Sequence, residues 1–430
     1  MLNKLLRRVF RVGLIMSLGV AASCGTNGSG PATAPDNGTS SAAVVTPPAS
    51  PTPAPPPAVT PAPSPSLSGE VAIADNFDAS TGLEPTWYGP NGRGGIAPES
   101  PDPVGAFRFM CASGQIAKDD PIVYPGQSGA SHLHQFWGNT GTNANSNYQS
   151  LRTTGGSTCD NRSAGNMAIN RSAYWSPAML DGAGHVVKPD FINTYYKQIP
   201  HGDPTCQGPP SPNSLGWCVD LPNGIHFVFG YNMANGKGGP ADASSWDPSF
   251  MWYNCWDDLV GTPNARANGT YHTIAEVVAA GCPAGAVLVA QAIIPACWDG
   301  KNLDSADHRS HMAVPSGDYI PSIGQRACPS DHPYVLPGLQ MRVHYTTDDN
   351  FVAGKWHLSS DEMMPGTVAG STLHFDYFEA WSPTVKDLWF RNCIDKHQTC
   401  AQGDLGTGMQ IKEAGAPPTG WPRHELVPVP

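Results

Sequence analysis

Ten cysteines spread between residues 111 and 400 constrain this chain more than any other feature. They follow an apparent export signal, and none forms a Cys-x-x-Cys pair. Exported proteins meet an oxidising compartment, where thiols pair. The full count is 11, an odd number, and Cys24 is the one that stands apart. The remainder are Cys111, Cys159, Cys206, Cys218, Cys255, Cys282, Cys297, Cys328, Cys393 and Cys400, an even set compatible with five disulfides. A zinc ribbon or thioredoxin-like site is excluded by the missing Cys-x-x-Cys pairs. The spacings close short local loops if neighbours pair: Cys111–Cys159, Cys206–Cys218, Cys255–Cys282, Cys297–Cys328 and Cys393–Cys400. Each bridge then stabilises the fold by roughly 2–4 kcal/mol, by restricting the unfolded chain.

The first residues read as an address. Lys4, Arg7, Arg8 and Arg11 precede an apolar run from Val12 to Ala22, too short for a membrane-spanning helix, so residues 1–23 are expected to be a signal peptide. The run ends Ala21-Ala22-Ser23-Cys24, which resembles a bacterial lipobox, with Ala21 where Leu is commoner. Lipidation at Cys24 is expected, giving an exported protein anchored by lipid at the cell envelope, or a secreted one if Cys24 stays unmodified. Residues 24–68 then form a Pro/Ser/Thr-rich tract that cannot bury enough apolar surface to order itself, and they read as a stalk.

Residues 69–430 are expected to form one globular domain, since no second low-complexity linker interrupts them. The chain carries 47 Gly and 44 Pro with only 14% charged residues, against a usual ~25% charged. That composition opposes a helical bundle. It predicts a mainly β fold, a β-sandwich or jelly-roll-like domain with long disulfide-tied loops and a few short helices. Strands are expected within 225–231, 286–295, 339–346 and 372–380, where β-branched and aromatic residues lie between turn formers. In the last two, polar and apolar residues alternate: Arg342 and His344 against Met341, Val343 and Tyr345, then His374 and Asp376 against Phe375 and Tyr377. Thr273-Ile274-Ala275-Glu276 fits a capping box closed by Gly281, and Ser382-Pro383 starts a second helix with Val385, Leu388 and Trp389 inward.

Three short polar motifs carry the candidate chemistry: Ser131-His132-Leu133-His134, Asp307-His308-Arg309-Ser310-His311, and His374-Phe375-Asp376. A strand puts His132 and His134 on one face, and likewise His374 and Asp376, because side chains alternate with period two. On a helix or tight turn His308 and His311 share one side. The expectation is that His132, His134, His308, His311, His374 and Asp376 meet around one polar cavity. There His132, His134, His308, His311 and His374 are candidate ligands of one divalent metal, and Asp307, Asp376 and His308 are candidate catalytic groups. The competing reading is that these groups only knit loops together by buried hydrogen bonds.

Aromatic pairs at Tyr174-Trp175, Tyr195-Tyr196 and Trp252-Tyr253, with Trp256 and Trp298, read either as core or as a sugar-stacking platform. No Gly-x-Ser-x-Gly elbow, P-loop or dinucleotide fingerprint is present. The formal net charge is −11 from 24 basic and 35 acidic residues; without the four basic residues of the leader, 20 against 35 leaves −15. Such a surface disfavours nucleic acid and acidic polysaccharides as non-specific partners.

Taken in order, the motifs resemble a secreted domain-of-unknown-function family of fungi and bacteria. The resemblance runs through Phe107–Cys111, Asp120-Pro121-Ile122-Val123, Pro125-Gly126, the Ser131–His134 motif and Ser172-Ala173-Tyr174-Trp175-Ser176-Pro177. It continues through Cys297-Trp298-Asp299-Gly300, Leu303-Asp304-Ser305, Asp307-His308 with His311, Cys328-Pro329 and His374-Phe375-Asp376. Fungal members of that family often carry WSC or other carbohydrate-binding modules, so the resemblance implies a protein of the cell surface or wall. It implies no established reaction.

Two functions follow. One is an enzyme, a hydrolase, lyase or metal-dependent catalyst, acting on cell-wall or extracellular polysaccharide through the His/Asp pocket. The other is a non-catalytic glycan- or wall-binding surface protein whose His/Asp cluster is structural. The membrane is expected to be a partner through the lipid only.

Overall fold

The computed structural model describes residues 67–86, 95–164, 167–241, 250–259, 261–415 and 423–430. The expected signal peptide, Cys24 and nearly all of the expected stalk lie outside the described residues. The compact unit that holds the described residues runs from Pro65 to Pro430. Among the described residues, no helix is long and apolar enough to cross a membrane.

Eleven strands make the two large sheets: β1 (Gly105–Cys111), β2 (Ile116–Ala117), β3 (His134–Gly138), β4 (Ala173–Pro177), β5 (Phe191–Gln198), β6 (His226–Gly230), β7 (Met251–Trp256), β8 (Val287–Ile293), β9 (Gly338–Thr346), β10 (His374–Phe378) and β11 (Thr399–Cys400). One sheet has the order β6-β10-β4-β3-β2, the other β7-β8-β9-β5-β1-β11. All pairings are antiparallel except β1 with β11. The fold is mainly β, and each expected strand segment coincides with one of these strands to within a few residues at its ends.

The two sheets pack face to face because each strand alternates its apolar side chains. Phe107, Phe109, Tyr196, Leu288, Met341 and Val343 from the six-stranded sheet share one core with Tyr174, Phe227, Phe229, Phe375 and Tyr377 from the five-stranded sheet. Three phenols in this core are chained, Tyr174 Oη to Tyr196 Oη at 2.9 Å and Tyr196 Oη to Tyr377 Oη at 3.0 Å. Trp381 Nε1 donates to Tyr196 Oη at 3.2 Å. Each hydroxyl thereby escapes the ~1–3 kcal/mol cost of an unsatisfied buried polar group. Tyr174, Trp175, Tyr196, Tyr253 and Trp298 are fully buried, so these members of the aromatic pairs are core rather than platform.

Helices are short. Tyr148–Thr153 starts at Asn147, whose side chain accepts from Ser150 N while Ser150 Oγ accepts from Asn147 N. Its Arg152 anchors it to the fold through Asp75 at 2.6 Å and the Ala380 carbonyl at 3.2 Å. Thr273 caps Ile274–Ala279 by accepting from Glu276 N, but Glu276 reaches back to His272 N instead of Thr273 N, one residue outside the expected box. Ser382 caps Pro383–Trp389, and Val385 and Trp389 are buried while Leu388 is half-buried. Lys386 of that helix binds Glu379 at 2.8 Å and the Leu221 carbonyl at 3.0 Å, a buried charge with a partner.

Five disulfides tie the loops to this frame: Cys111–Cys159, Cys206–Cys218, Cys255–Cys282, Cys297–Cys328 and Cys393–Cys400. Cys297–Cys328 pins the segment that carries the Asp307–His311 motif.

Candidate metal centre and its pocket

On β10 the core claims Phe375 and Tyr377, so period two sends His374 and Asp376 to the outer face of the five-stranded sheet. Asp376 lies opposite Val228 of β6 and Trp175 of β4, and Trp175 lies opposite Phe136 of β3. One pleat along, His374 lies opposite Gly230, and His134 opposite Pro177. The outer face therefore has two ends. Phe136, Trp175 and Phe378 form an apolar end covered by Ile122, Tyr148 and Leu151. His134, His374 and Asp376 form a polar end, and His132 joins it from the turn before β3.

His132, His134 and His374 each offer one nitrogen to a common point, and these three atoms lie within 4.8 Å of one another. Their ring centroids are 4.2, 5.0 and 5.9 Å apart. Backbone carbonyls set two of the tautomers. His134 Nδ1 donates to Asp119 O at 3.0 Å, and His374 Nδ1 donates to Thr372 O at 2.9 Å. Nε2 is then the lone-pair nitrogen each ring can present. Nε2 of His132 and of His134 is buried with no hydrogen-bond partner. Burial pushes the imidazoles down, His132 to about 2, His134 to about 3 and His374 well below its ordinary value, with neighbouring imidazoles adding to the effect. All three are neutral at physiological pH, the form a metal needs.

A cavity of ≈ 510 Å³ opens over this cluster, and His132, His374, Asp376, Asp120, Asp307 and His308 stand in its wall. Asp376 is fully buried and neither carboxylate oxygen has a hydrogen-bond partner. Burial, then the Asp120 carboxylate, pushes its carboxyl well up, against the opposing pull of Arg309. Asp120 is likewise raised to about 6 by burial, although Ile122 N and Val123 N donate to it at 2.9 Å. The Arg309 guanidinium is tied to the carbonyls of Gly230 and Tyr231 at 2.8 and 3.0 Å. Gly230 sits at φ +98°, and a Cβ there would meet the Met251 sulfur at 2.7 Å, so this bend beside His374 requires glycine.

The Asp307–His311 motif divides. His308 has φ +57°, a left-handed turn that sends it and His311 in different directions, so the shared side expected of a helical turn is lost. His308 lines the cavity, and its Nδ1 bonds both oxygens of Asp304 at 2.9 and 3.0 Å, leaving Nε2 as the nitrogen it can offer. It stands outside the three-histidine group. His311 turns away from the cavity: Nδ1 meets Ser305 Oγ at 2.8 Å and Nε2 meets the His226 carbonyl at 3.1 Å. Both nitrogens are occupied, so the expectation of His311 as a ligand fails. Asp307 is exposed and accepts from Ser305 Oγ, Arg309 N and Ser310 N at 2.8, 3.1 and 2.8 Å. Burial pushes its carboxyl up, but the hydrogen bonds from Ser310, Ser305 and Arg309 together outweigh it and keep the carboxyl well below the usual range. It does not suit an acid–base role.

A family model described as "Domain of unknown function (DUF1996)" matches residues 120–381. The chain belongs to the DUF1996 family. No curated protein and no solved structure matches it. The DUF1996 span starts at Asp120 and ends at Trp381, so every residue lining the cavity falls within it, whereas Phe107–Cys111, expected to share the resemblance, falls outside. Asp120 and Arg309 are the site residues that the motifs contained but to which no role was given. The available signal was Asp120-Pro121-Ile122-Val123: a carboxylate beside an apolar run, in a chain this poor in charge, is a candidate for burial.

Proposed function

We propose that the DUF1996 pocket is a metal-dependent catalytic centre, with one divalent transition metal held by His132, His134 and His374, acting on an extracellular or cell-wall polysaccharide. The observation that carries this reading is the trio itself: three neutral imidazoles converge within 4.8 Å, two with Nδ1 fixed by carbonyls and two with a buried, unpartnered Nε2. Imidazole ligands suit Zn, Cu, Fe and Ni, and ring orientation by a hydrogen bond from the other nitrogen is the usual support of such ligands. A bound ion would supply Lewis-acid or redox chemistry at the cavity floor.

The chain's own groups have separate tasks. His308, oriented through Nδ1 by Asp304, presents Nε2 to the cavity as a proton acceptor. Asp120 and Asp376 add carboxyls to the cavity wall, and Arg309 places a cation beside them. The cavity volume lies in the ~300–1,000 Å³ range of small-ligand sites, enough for part of a sugar chain. The alternative, a non-catalytic glycan-binding protein with a structural cluster, calls for fully hydrogen-bonded imidazoles. His311 has that pattern and the trio does not. Export and lipid anchoring at Cys24 complete the proposal and put the pocket beside its polymer.

Elemental analysis of the domain purified without chelators tests this reading. One equivalent of a transition metal is expected, falling below a tenth of an equivalent in H132A and H374A. Metal-free protein that also takes up no Zn(II), Cu(II), Mn(II) or Fe(II) by calorimetry overturns it.

A further inference from the structure

The outer face of the six-stranded sheet carries a second concentration of chemistry, on the other side of the core from the metal trio. The inward residues of β1, β5, β7, β8 and β9 are apolar, so the alternate positions face outward: Arg108 on β1, Asn193, Tyr195 and Lys197 on β5, Trp252 and Trp256 on β7, Gln291 on β8, Arg342 on β9. Register gathers them. Arg342 lies opposite both Gln291 and Asn193, and Arg108 lies opposite Tyr195. Three cations close on one ring: Arg108 Cζ, Lys197 Nζ and Arg342 Cζ stand 5.6, 5.3 and 5.3 Å from the Tyr195 centroid. Arg342 is also 5.9 Å from the Trp256 ring.

Among the described residues, the Lys and Arg ion pairs seen include those of Arg152, Lys188, Lys386 and Arg391, and none of Arg108, Lys197 and Arg342 forms one with a carboxylate. Buried polar atoms beside them also lack partners: Nε of Arg108 and of Arg342, Oδ1 of Asn193 and Oε1 of Gln291. Asn193 and Gln291 are only 6% and 2% exposed, so these orphan oxygens sit on a floor that a ligand would complete. Tyr195, Trp252, Trp256 and the three cations remain half-buried and so stay reachable from outside.

We propose that this face binds an anionic polysaccharide, its acidic groups on Arg342 and Arg108 and its pyranose rings against Tyr195 and Trp256. The planar guanidinium fork matches a carboxylate or sulfate in two hydrogen bonds, and an aromatic face takes the apolar face of a sugar. Amide side chains between the rings suit sugar hydroxyls. The otherwise acidic chain repels polyanions at long range, so a polymer held here depends on the local cations, amides and rings of this face rather than on net charge. The site is separate from the metal pocket, and either can fail without the other.

Tryptophan-fluorescence titration and affinity electrophoresis of the whole domain test it, with polygalacturonate, dextran sulfate and neutral dextran as probes. Binding to a charged polymer but not to neutral dextran is expected, and the better of the two polymers names the anion. Affinity falls at least tenfold in R108Q/R342Q and in Y195A. It falls less in R342K, which keeps charge and loses the fork, and stays unchanged in K396Q, a surface-charge control. Should R108Q/R342Q unfold by circular dichroism, K197Q at a half-exposed position replaces it, with about a threefold loss expected. H374A binds like the wild type. Binding to neutral dextran as tight as to the acidic polymers, equal loss in K396Q, unchanged binding in the folded patch variants, or loss in H374A overturns the proposal.

Discussion

The two faces of the five-stranded sheet treat polar groups in opposite ways. On the inner face, Tyr174 and Tyr377 are fully buried, yet each hydroxyl is hydrogen-bonded to Tyr196 of the facing six-stranded sheet. On the outer face, reached from the same strand, Asp376 has two unpartnered oxygens, and the histidines beside it point unpartnered Nε2 atoms at one another. A protein pairs buried polar groups when their role is structural, because an orphan costs ~1–3 kcal/mol. Where orphans cluster in the wall of a cavity, they mark the place where the proposed ion or ligand would supply the partner. The contrast between His311, with both nitrogens occupied, and the trio makes the same point within one residue type.

The largest expected effect tests the outer face. If its orphans await an ion, Zn(II) or Cu(II) at 100 times the dissociation constant stabilises the domain by ~2.7 kcal/mol, read as a rise in melting temperature. The rise should vanish in H134A and persist in H311N. An identical rise in H134A would erase the distinction between the trio and His311.

Acid should act through histidines buried without a metal role. His344, stacked on Phe191 at 4.1 Å, is fully buried, and burial and then Arg342 hold it down to about 3. Its ordinary value is 6.5, so between pH 6.5 and about 3 the unfolded chain binds a proton that the folded chain refuses. Stability falls as pH falls through that window, by up to roughly 5 kcal/mol from this group. Urea melts from pH 7 to 4 should show the loss, and H344F should flatten it. A slope unchanged in H344F would refute the assignment.

On the inner face, Y196F removes the hydroxyl that links Tyr174, Tyr377 and Trp381 and should cost about 1–3 kcal/mol, with metal content unchanged. Lost metal in Y196F would show that the two faces are not separable. The smallest effect belongs to Asp307. D307A loses a turn-capping acceptor and about 0.5–2 kcal/mol, as helix caps do, with no change in the metal affinity of the trio. Strongly reduced metal affinity in D307A would bring Asp307 into the site.

Much of this molecule was legible in one dimension. Period-two alternation in Thr372–Ala380 and Leu339–Thr346 assigned the inward and outward faces of β10 and β9, because strand geometry leaves a side chain only two directions. Ser382-Pro383 and Thr273 announced helix starts, since capping is a contact over three residues. His-x-His and His-x-Asp paired residues across two positions for the same local reason. Tertiary structure alone decided which pairs meet. His374 reaches His132 and His134 because β10, β4 and β3 are neighbours in one sheet, a pairing between segments more than 200 residues apart. The Asp307–His311 motif split because one left-handed residue, His308, reversed the chain where helical spacing predicts a shared side. Asp120 joined the pocket, and Arg108, Lys197 and Arg342 closed on Tyr195, through cross-strand and loop packing. Those contacts depend on register and burial, which have no period along the chain and exist only once the sheets have formed.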